Sequence, residues 1–331
     1  MEYRLLGNTG LYVSALCLGT MTFGGPADKN ESKQLYKAGR DAGINLFDCA
    51  NVYNSGRSEE ILGELVAGER DEVLITSKFT FPRGEGKNAI GSSRRNAMLE
   101  VEGSLKRLGT DRIDIYFLHS FDPVLPMEES LRAMEDLVRQ GKILYIGLSN
   151  WAAWQIALAL GTTRNHGWNP VSLIQPMYSL LKRQAESEIL PLARSQGLGV
   201  MSYSPLAGGM LTGKYLGTEK IKSGRFADMP RYQLRYPEEA HRKSIESFLA
   251  YSRETSIDPV TLAVAWVKSN PAISSTILGA RNSEQLQSSL AAADMKLDST
   301  QYREIASFSP APPAATDRSE EELDPAMRLR G

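Results

Sequence analysis

Short apolar runs alternate along the chain with longer stretches of helical period. Ala15–Leu18, Ile44–Phe47, Val73–Ser77, Ile113–Leu118, Ile143–Leu148, Val171–Ile174, Gly199–Ser202 and Ser275–Leu278 are rich in Val, Ile, Leu and aromatics, and each predicts a buried strand. Between them lie amphipathic segments. Met98, Val101, Leu105 and Leu108 make one apolar stripe, and Met127, Leu131, Met134 and Val138 make another. Glu31–Ala42 predicts a helix stopped by Gly43; Gly109 and Gly141 stop the next two, as C-terminal glycines do. Ser58 is expected to cap a helix whose first turn carries Glu59 and Glu60. Further helices are expected near Ala152–Leu160, Glu186–Gln196, Glu238–Ser256 and Pro259–Ser269, and from Ser283. Residues 204–236 read as a long Gly-rich loop.

Polar residues close these strands at a recurring interval. Asp48, Lys78, His119, Asn150, Gln175 and Tyr203 follow six of them in turn, spaced by about 30 residues, the length of one βα unit. Eight strands alternating with helices predict an α/β fold, a closed (β/α)8 TIM barrel. An open doubly wound sheet would place one crevice at a topological switch point, not a polar residue at nearly every strand end. Residues 1–308 are expected to form one barrel domain with an N-terminal β-hairpin cap and long loops at its C-terminal face. The Pro-rich, charged stretch 309–331 is expected to be an extended tail.

Composition narrows the partners. The 331 residues carry a formal net charge of −1, which gives no electrostatic footprint for nucleic acid. No apolar run approaches the ~20 residues of a membrane helix, and the N-terminus has no basic segment leading into an apolar one. Cys17 and Cys49 cannot make a disulfide framework and suit a reducing, cytoplasmic setting; three histidines leave little for a metal site.

In a barrel of this kind the site lies at the C-terminal ends of the strands. There Asp48, Lys78 and His119 meet Tyr53, from the loop after Asp48: a carboxylate, an amine, an imidazole and a phenol. A phenol alone titrates near pH 10 and is a weak acid at neutrality. A neighbouring ammonium is expected to lower that pKa, and a carboxylate to keep the ammonium charged. The phenol can then protonate a carbonyl oxygen that the imidazole polarises. The set suits carbonyl reduction by an external hydride donor, without metal. Singly, each residue also has a structural use: Asp48 as a loop cap, Lys78 as solvated surface, His119 and Tyr53 as core, Asn150 as a helix cap.

The chain resembles the aldo-keto reductases over roughly residues 3–293. YRLLGNTGLYVSALCLGTMTFGG opens the likeness, and NLFDCANVYNSGRSEEILGE places Asp48 and Tyr53 on the family's aspartate and tyrosine. VLITSKF carries Lys78 and RLGTDRIDIYFLH carries His119; GKILYIGLSN, IQPMYSLL, YSPLAGGMLTGKY and ILGARNSEQL complete the series. The wording is nearest to the prokaryotic-style branch that includes potassium-channel β-subunits. The resemblance implies NADP(H) bound across the barrel mouth without a Rossmann fold. It implies that Gly19, Thr20 and Met21 line the cofactor near the reacting ring. Ser149, Asn150 and Gln175 would bond the carboxamide, and Tyr203 would stack on the nicotinamide. Ser204, Leu206 and Gly208 would meet the pyrophosphate, with Lys214 and Arg225 nearby. Gly279, Arg281 and Gln285 would hold the adenosine end, where an arginine fork suits a 2′-phosphate and favours NADP over NAD. Ser288 and Ser289 stand where relatives carry Glu and Asn. Phe23, Phe79, Phe121 and Trp151 follow strand ends and are placed to wall a pocket for a small-molecule carbonyl substrate. Family barrels occur singly and as assemblies, which leaves a homo-oligomer open.

Two other functions fit parts of the pattern. A Schiff-base aldolase would use Lys78 as nucleophile, and an NADPH-binding regulatory subunit would use the cofactor as a redox sensor. GGMLTGKY at 208–215 is not a P-loop, because Tyr215 stands where a magnesium-binding Ser or Thr is needed.

Overall fold

The computed structural model describes residues 1–216, 225–229 and 231–316. The eight expected strands all form: β3 (Leu16–Gly19), β4 (Leu46–Asp48), β5 (Leu74–Phe79), β6 (Ile113–Leu118), β7 (Ile143–Ser149), β8 (Val171–Gln175), β9 (Gly199–Ser202) and β10 (Ser275–Leu278). They pair in parallel and in chain order, and β10 closes onto β3 to complete the barrel. A short antiparallel hairpin, β1 (Tyr3–Leu5) and β2 (Tyr12–Ser14), precedes it.

Strand alternation sorts the barrel's side chains into two cores. Cys17, Leu46, Ile115, Phe117, Leu173, Met201 and Ile277 fill the interior together with Leu6 and Val13 of the hairpin. The opposite faces of the strands pack against the surrounding helices in a second, larger core. The hairpin thus plugs the end of the barrel at which the strands begin. Arg4 fastens it by donating from Nη1 to Lys268 O and Ile273 O, each at 2.9 Å. Asn8 N donates to Gly197 O at the entrance to β9.

The helices begin and end for local reasons. In α1 (Lys29–Asp41) the Asp28 carboxylate accepts from Glu31 N, and Gly43 reverses the chain at φ +86°. Helix α2 spans Arg57–Val66. In α3 (Arg94–Leu108) Ser93 accepts from Asn96 N, and Gly109 closes the end at φ +61°. α4 (Met127–Arg139) follows and is stopped by Gly141. α5 (Ala153–His166) is headed by Ala152, whose N–H donates to Gln155, so Asn150 does not cap it. α6 is Ile189–Gln196, shorter at its start than expected because Gln184–Glu186 forms a separate turn.

Two further local expectations are corrected. Ser58 is not a cap: Gly56 precedes α2, and the Ser58 hydroxyl is buried, donating to Thr20 O and Thr20 Oγ1. The stretch 204–236 is not all loop. It holds the turn Ala207–Thr212 and the short helices α7 (Arg225–Asp228) and α8 (Arg231–Arg235). After it come α9 (Glu238–Glu254), α10 (Pro259–Ser269), α11 (Ser283–Leu290) and α12 (Ser299–Ser307). The start of the expected tail lies against the barrel: Arg183 donates to Ala306 O and Ser309 O, and Ser187 to Pro313 O. Residues 317–331 lie outside the described residues. No helix among the described residues is long and apolar enough to cross a membrane.

The barrel interior has little slack. A Cβ added at Gly147, on β7, would stand 2.9 Å from Phe117 Cγ, and closer still to the ring edge. Phe117 is fully buried and has nowhere to retreat. Gly147→Ala is expected to destabilise the fold by about 1–3 kcal/mol, the usual cost of overpacking, read as a lower denaturation midpoint.

Candidate active site

The polar residues at the strand ends converge on one cavity of about 1140 Å³ at the barrel's C-terminal mouth. At its floor lies a buried ion pair. Lys78 Nζ donates to Asp48 Oδ2 at 2.7 Å, and both side chains are almost wholly enclosed. Such a pair is stable only when its remaining hydrogen-bonding capacity is met. Here Asp48 Oδ1 accepts from Thr76 Oγ1 at 2.7 Å and from Gln175 Nε2 at 2.8 Å. Lys78 Nζ also donates to Cys49 O at 2.6 Å and to Tyr53 Oη at 3.3 Å. β4, β5 and β8 each supply part of this cluster. Strand parity explains the choice: Thr76 and Lys78 face inward, while Ser77 faces outward to bond Glu59.

His119 follows β6 and meets Tyr53 edge-on, with ring centroids 6.2 Å apart. Its backbone is fixed on both sides: His119 N donates to Phe79 O, and Asn150 Nδ2 donates to His119 O. Its Nδ1 is buried with no partner among the described residues, a polar atom available to a ligand. Burial, with help from the Lys78 charge, holds the imidazole well below its usual pKa, so it is neutral at pH 7.

The Tyr53 phenol departs from the expectation of a lowered pKa. Burial outweighs the downward pull of Lys78, and the phenol is pushed up to about 12. Lys78 behaves oppositely. Burial alone would depress the ammonium, but Asp48 and Tyr53 together carry it above its usual value. The site therefore holds a protonated phenol against a permanent ammonium. Cys49 is inert in this setting, its thiol raised by burial to about 12.

Most of the expected ligand-binding residues line the same cavity. Gly19, Met21, Ser149, Asn150, Gln175 and Tyr203 surround the end nearest Tyr53. Asn150 sits at φ +61° and accepts from Tyr203 Oη at 2.6 Å, tying the β7 and β9 exits together. Ser149 Oγ donates to Gln175 O. Ser204, Leu206, Gly208, Lys214, Gly279, Arg281 and Gln285 also line it, with Ser288 and Ser289. Gly208 and Gly209 both have positive φ, and a Cβ on Gly208 would stand 2.9 Å from the Tyr232 ring.

Other expected contacts fall elsewhere. Thr20 lies beneath the cavity, buried, donating to Asp48 O and accepting from Ser58. Phe23 and Phe79 are fully buried core residues and are not among the residues lining this cavity. Phe79 stacks on Tyr116 outside the barrel, the face opposite to Lys78. Phe121 and Trp151 pack edge to face on each other and are not among the cavity-lining residues. The side chain of Arg225 lies outside the described residues. Several lining residues had no signal in the strand-end pattern, among them Phe81, Asn54 and Arg235. Phe81 packs on His119 at 4.6 Å, Asn54 follows Tyr53, and Arg235 stands over the Tyr232 ring at 4.9 Å. Phe81 lies in the long loop after β5 and Arg235 ends the short helix α8, and no local period sets where either one meets the barrel.

A model of the Aldo/keto reductase family matches residues 15–310. The Bacillus subtilis (strain 168) protein described as uncharacterized oxidoreductase YrpG is 37% identical over 328 residues, covering 96% of this chain and 98% of its own. A probable voltage-gated potassium channel subunit beta of Oryza sativa subsp. japonica is 38% identical, covering 89% of this chain and 92% of its own. Its Arabidopsis thaliana counterpart is 36% identical over similar spans. With a barrel of this topology and this cluster at its mouth, the chain belongs to the aldo/keto reductase family of oxidoreductases.

Proposed function

We propose that this protein is an NADPH-dependent reductase of aldehydes or ketones, reversible as an alcohol dehydrogenase. The observation that carries the reading is the phenol of Tyr53, held 3.3 Å from a buried Lys78 ammonium that Asp48 fixes in place. The cavity suits an extended dinucleotide. Its lining includes Asp48 and Tyr53 of this cluster, the Gly208–Gly209 turn, Arg281 and Gln285, with the cationic side chains of Lys214 and Arg281 among them. Ser149, Asn150 and Gln175 would hold the carboxamide, Tyr203 would face the nicotinamide, and Arg281, near the start of α11, would meet a 2′-phosphate. NADPH, when bound, supplies the hydride.

Tyr53 Oη–H donates its proton to the carbonyl oxygen as negative charge develops there. The phenolate left behind is stabilised by the adjacent Lys78 ammonium, which Asp48, Thr76 and Gln175 keep oriented. Neutral His119 polarises the same oxygen without competing for the proton. The Schiff-base alternative fits poorly: Lys78 is fully enclosed and held as an ammonium, whereas that chemistry needs a neutral amine open to substrate. The potassium-channel relatives favour a second reading, a cofactor-loaded redox-sensing subunit. Negligible turnover by the purified protein, with retention on a membrane partner, would favour it.

Tyr53→Phe is expected to lower NADPH-dependent carbonyl reduction by about 10²–10⁴-fold with cofactor affinity intact, read by fluorescence titration; wild-type turnover would overturn the assignment. Arg281→Ala is expected to weaken NADPH about 10–100-fold and NADH far less; calorimetry showing equal losses would remove the 2′-phosphate contact. The pKa of Tyr53 sets opposite pH dependences for the two directions. Reduction uses the phenol, which is protonated well past neutrality, so its rate stays flat through the neutral range. Alcohol oxidation uses the phenolate, so its rate rises with pH. Steady-state profiles in both directions would check this.

A further inference from the structure

We propose that Asn54 is a positioning residue that locks Tyr53 to the loop between β3 and α1, and that position 25 is glycine to leave room for the lock. The inference rests on the reading of Tyr53 as the acid.

The backbone after Tyr53 is left-handed for three residues running. Asn54 has φ +47°, Ser55 φ +58° and Gly56 φ +94°. Such angles are disfavoured for any residue with a Cβ, and glycine adopts them most readily. Asparagine tolerates such angles better than other residues with a Cβ, and unlike glycine it brings a carboxamide to this position. That contribution is visible. Asn54 Nδ2 donates to Met21 O at 3.0 Å and to Phe23 O at 2.7 Å. Both protons of one amide are spent on the carbonyls of a single facing loop.

That loop is rigid. Phe23 N donates to Thr20 O, Gly24 N to Ala27 O, and Gly25 N and Ala27 N both to Thr22 O. Thr22 Oγ1 donates to Ala280 O, beyond β10. A Cβ on Gly25 would lie 2.8 Å from Asn54 Cγ and closer to its oxygen. Gly25 has no positive φ to explain its identity, so the room it leaves for the Asn54 carboxamide is the physical reason for a glycine there.

Tyr53 is thereby held between two fixed points. Lys78 donates to its phenol oxygen, and the next residue is bolted to the platform 20–27. Met21, whose carbonyl accepts one of these bonds, itself lines the cavity with Asn54. The clamp sets the distance between the acid and the surface against which the cofactor would lie. Misplacement of a reacting group by about 1 Å can cost on the order of 10²-fold in rate.

Asn54→Gly separates the clamp from the backbone, because it accepts the left-handed turn and removes both hydrogen bonds. We expect kcat for a simple aldehyde to fall by about 10-fold or more, with NADPH affinity and the melting midpoint little changed. Gly25→Ala, which displaces the carboxamide, should give a similar loss. In the Asn54→Gly background the alanine has space, so the double variant should be no worse than Asn54→Gly alone. Wild-type kcat in Asn54→Gly, or losses that multiply in the double variant, would overturn the proposal. If the wild-type protein reduces no carbonyl, or Tyr53→Phe retains activity, the functional reading fails instead.

Discussion

The buried ion pair between Asp48 and Lys78 is the interaction on which the mouth of this barrel depends. Two charges removed from water are costly, and their mutual attraction offsets that cost only in good geometry with every other bond made. Thr76 and Gln175 complete the carboxylate, and the Cys49 carbonyl and Tyr53 phenol complete the ammonium. No single βα unit could do this. The carboxylate leaves β4, the ammonium and hydroxyl come from β5, and the amide from the far side at β8. Closure of the barrel, with the hairpin plugging its other end, brings them within reach.

That arrangement decides the chemistry available. A cation beside a phenol would make it more acidic in water, but burial acts on the phenolate more strongly, and Tyr53 keeps its proton. The result is an acid that stays loaded at neutral pH and sits next to the charge able to stabilise its conjugate base. His119 is governed by the same burial and remains neutral. Enclosure and neighbours at each group reinforce the state it would hold at neutral pH: Lys78 charged, Tyr53 and His119 neutral.

The loops above this floor are held to one another as well as to the barrel. Asn150 joins Tyr203 to the His119 carbonyl, and Asn54 joins the Tyr53 turn to the loop after β3. Thr20 and Ser58 make a second seam beneath it. Strained left-handed residues recur in these exits, at Asn54, Ser55, Asn150 and Ser204. Such conformations persist where surrounding bonds over-determine them, and they gather at functional sites.

Much of this was legible in the sequence. Apolar runs and stop glycines act locally, so the eight strands, the helix ends at Gly43, Gly109 and Gly141, and the strand-end residues Asp48, Lys78 and His119 could be read in order. Even the misplaced Phe79 was accessible in principle: alternation on β5 turns it outward if Lys78 faces in. Facing directions, charge states and long-range pairs were decided by tertiary structure. Whether Phe23 meets substrate or core, whether Ser58 caps a helix or bonds Thr20, and whether the phenol becomes more or less acidic depend on residues distant in the chain. So does the placement of Arg235 and Phe81 in the cavity wall. Each depends on burial and on contacts summed over several elements, quantities that no local periodicity encodes.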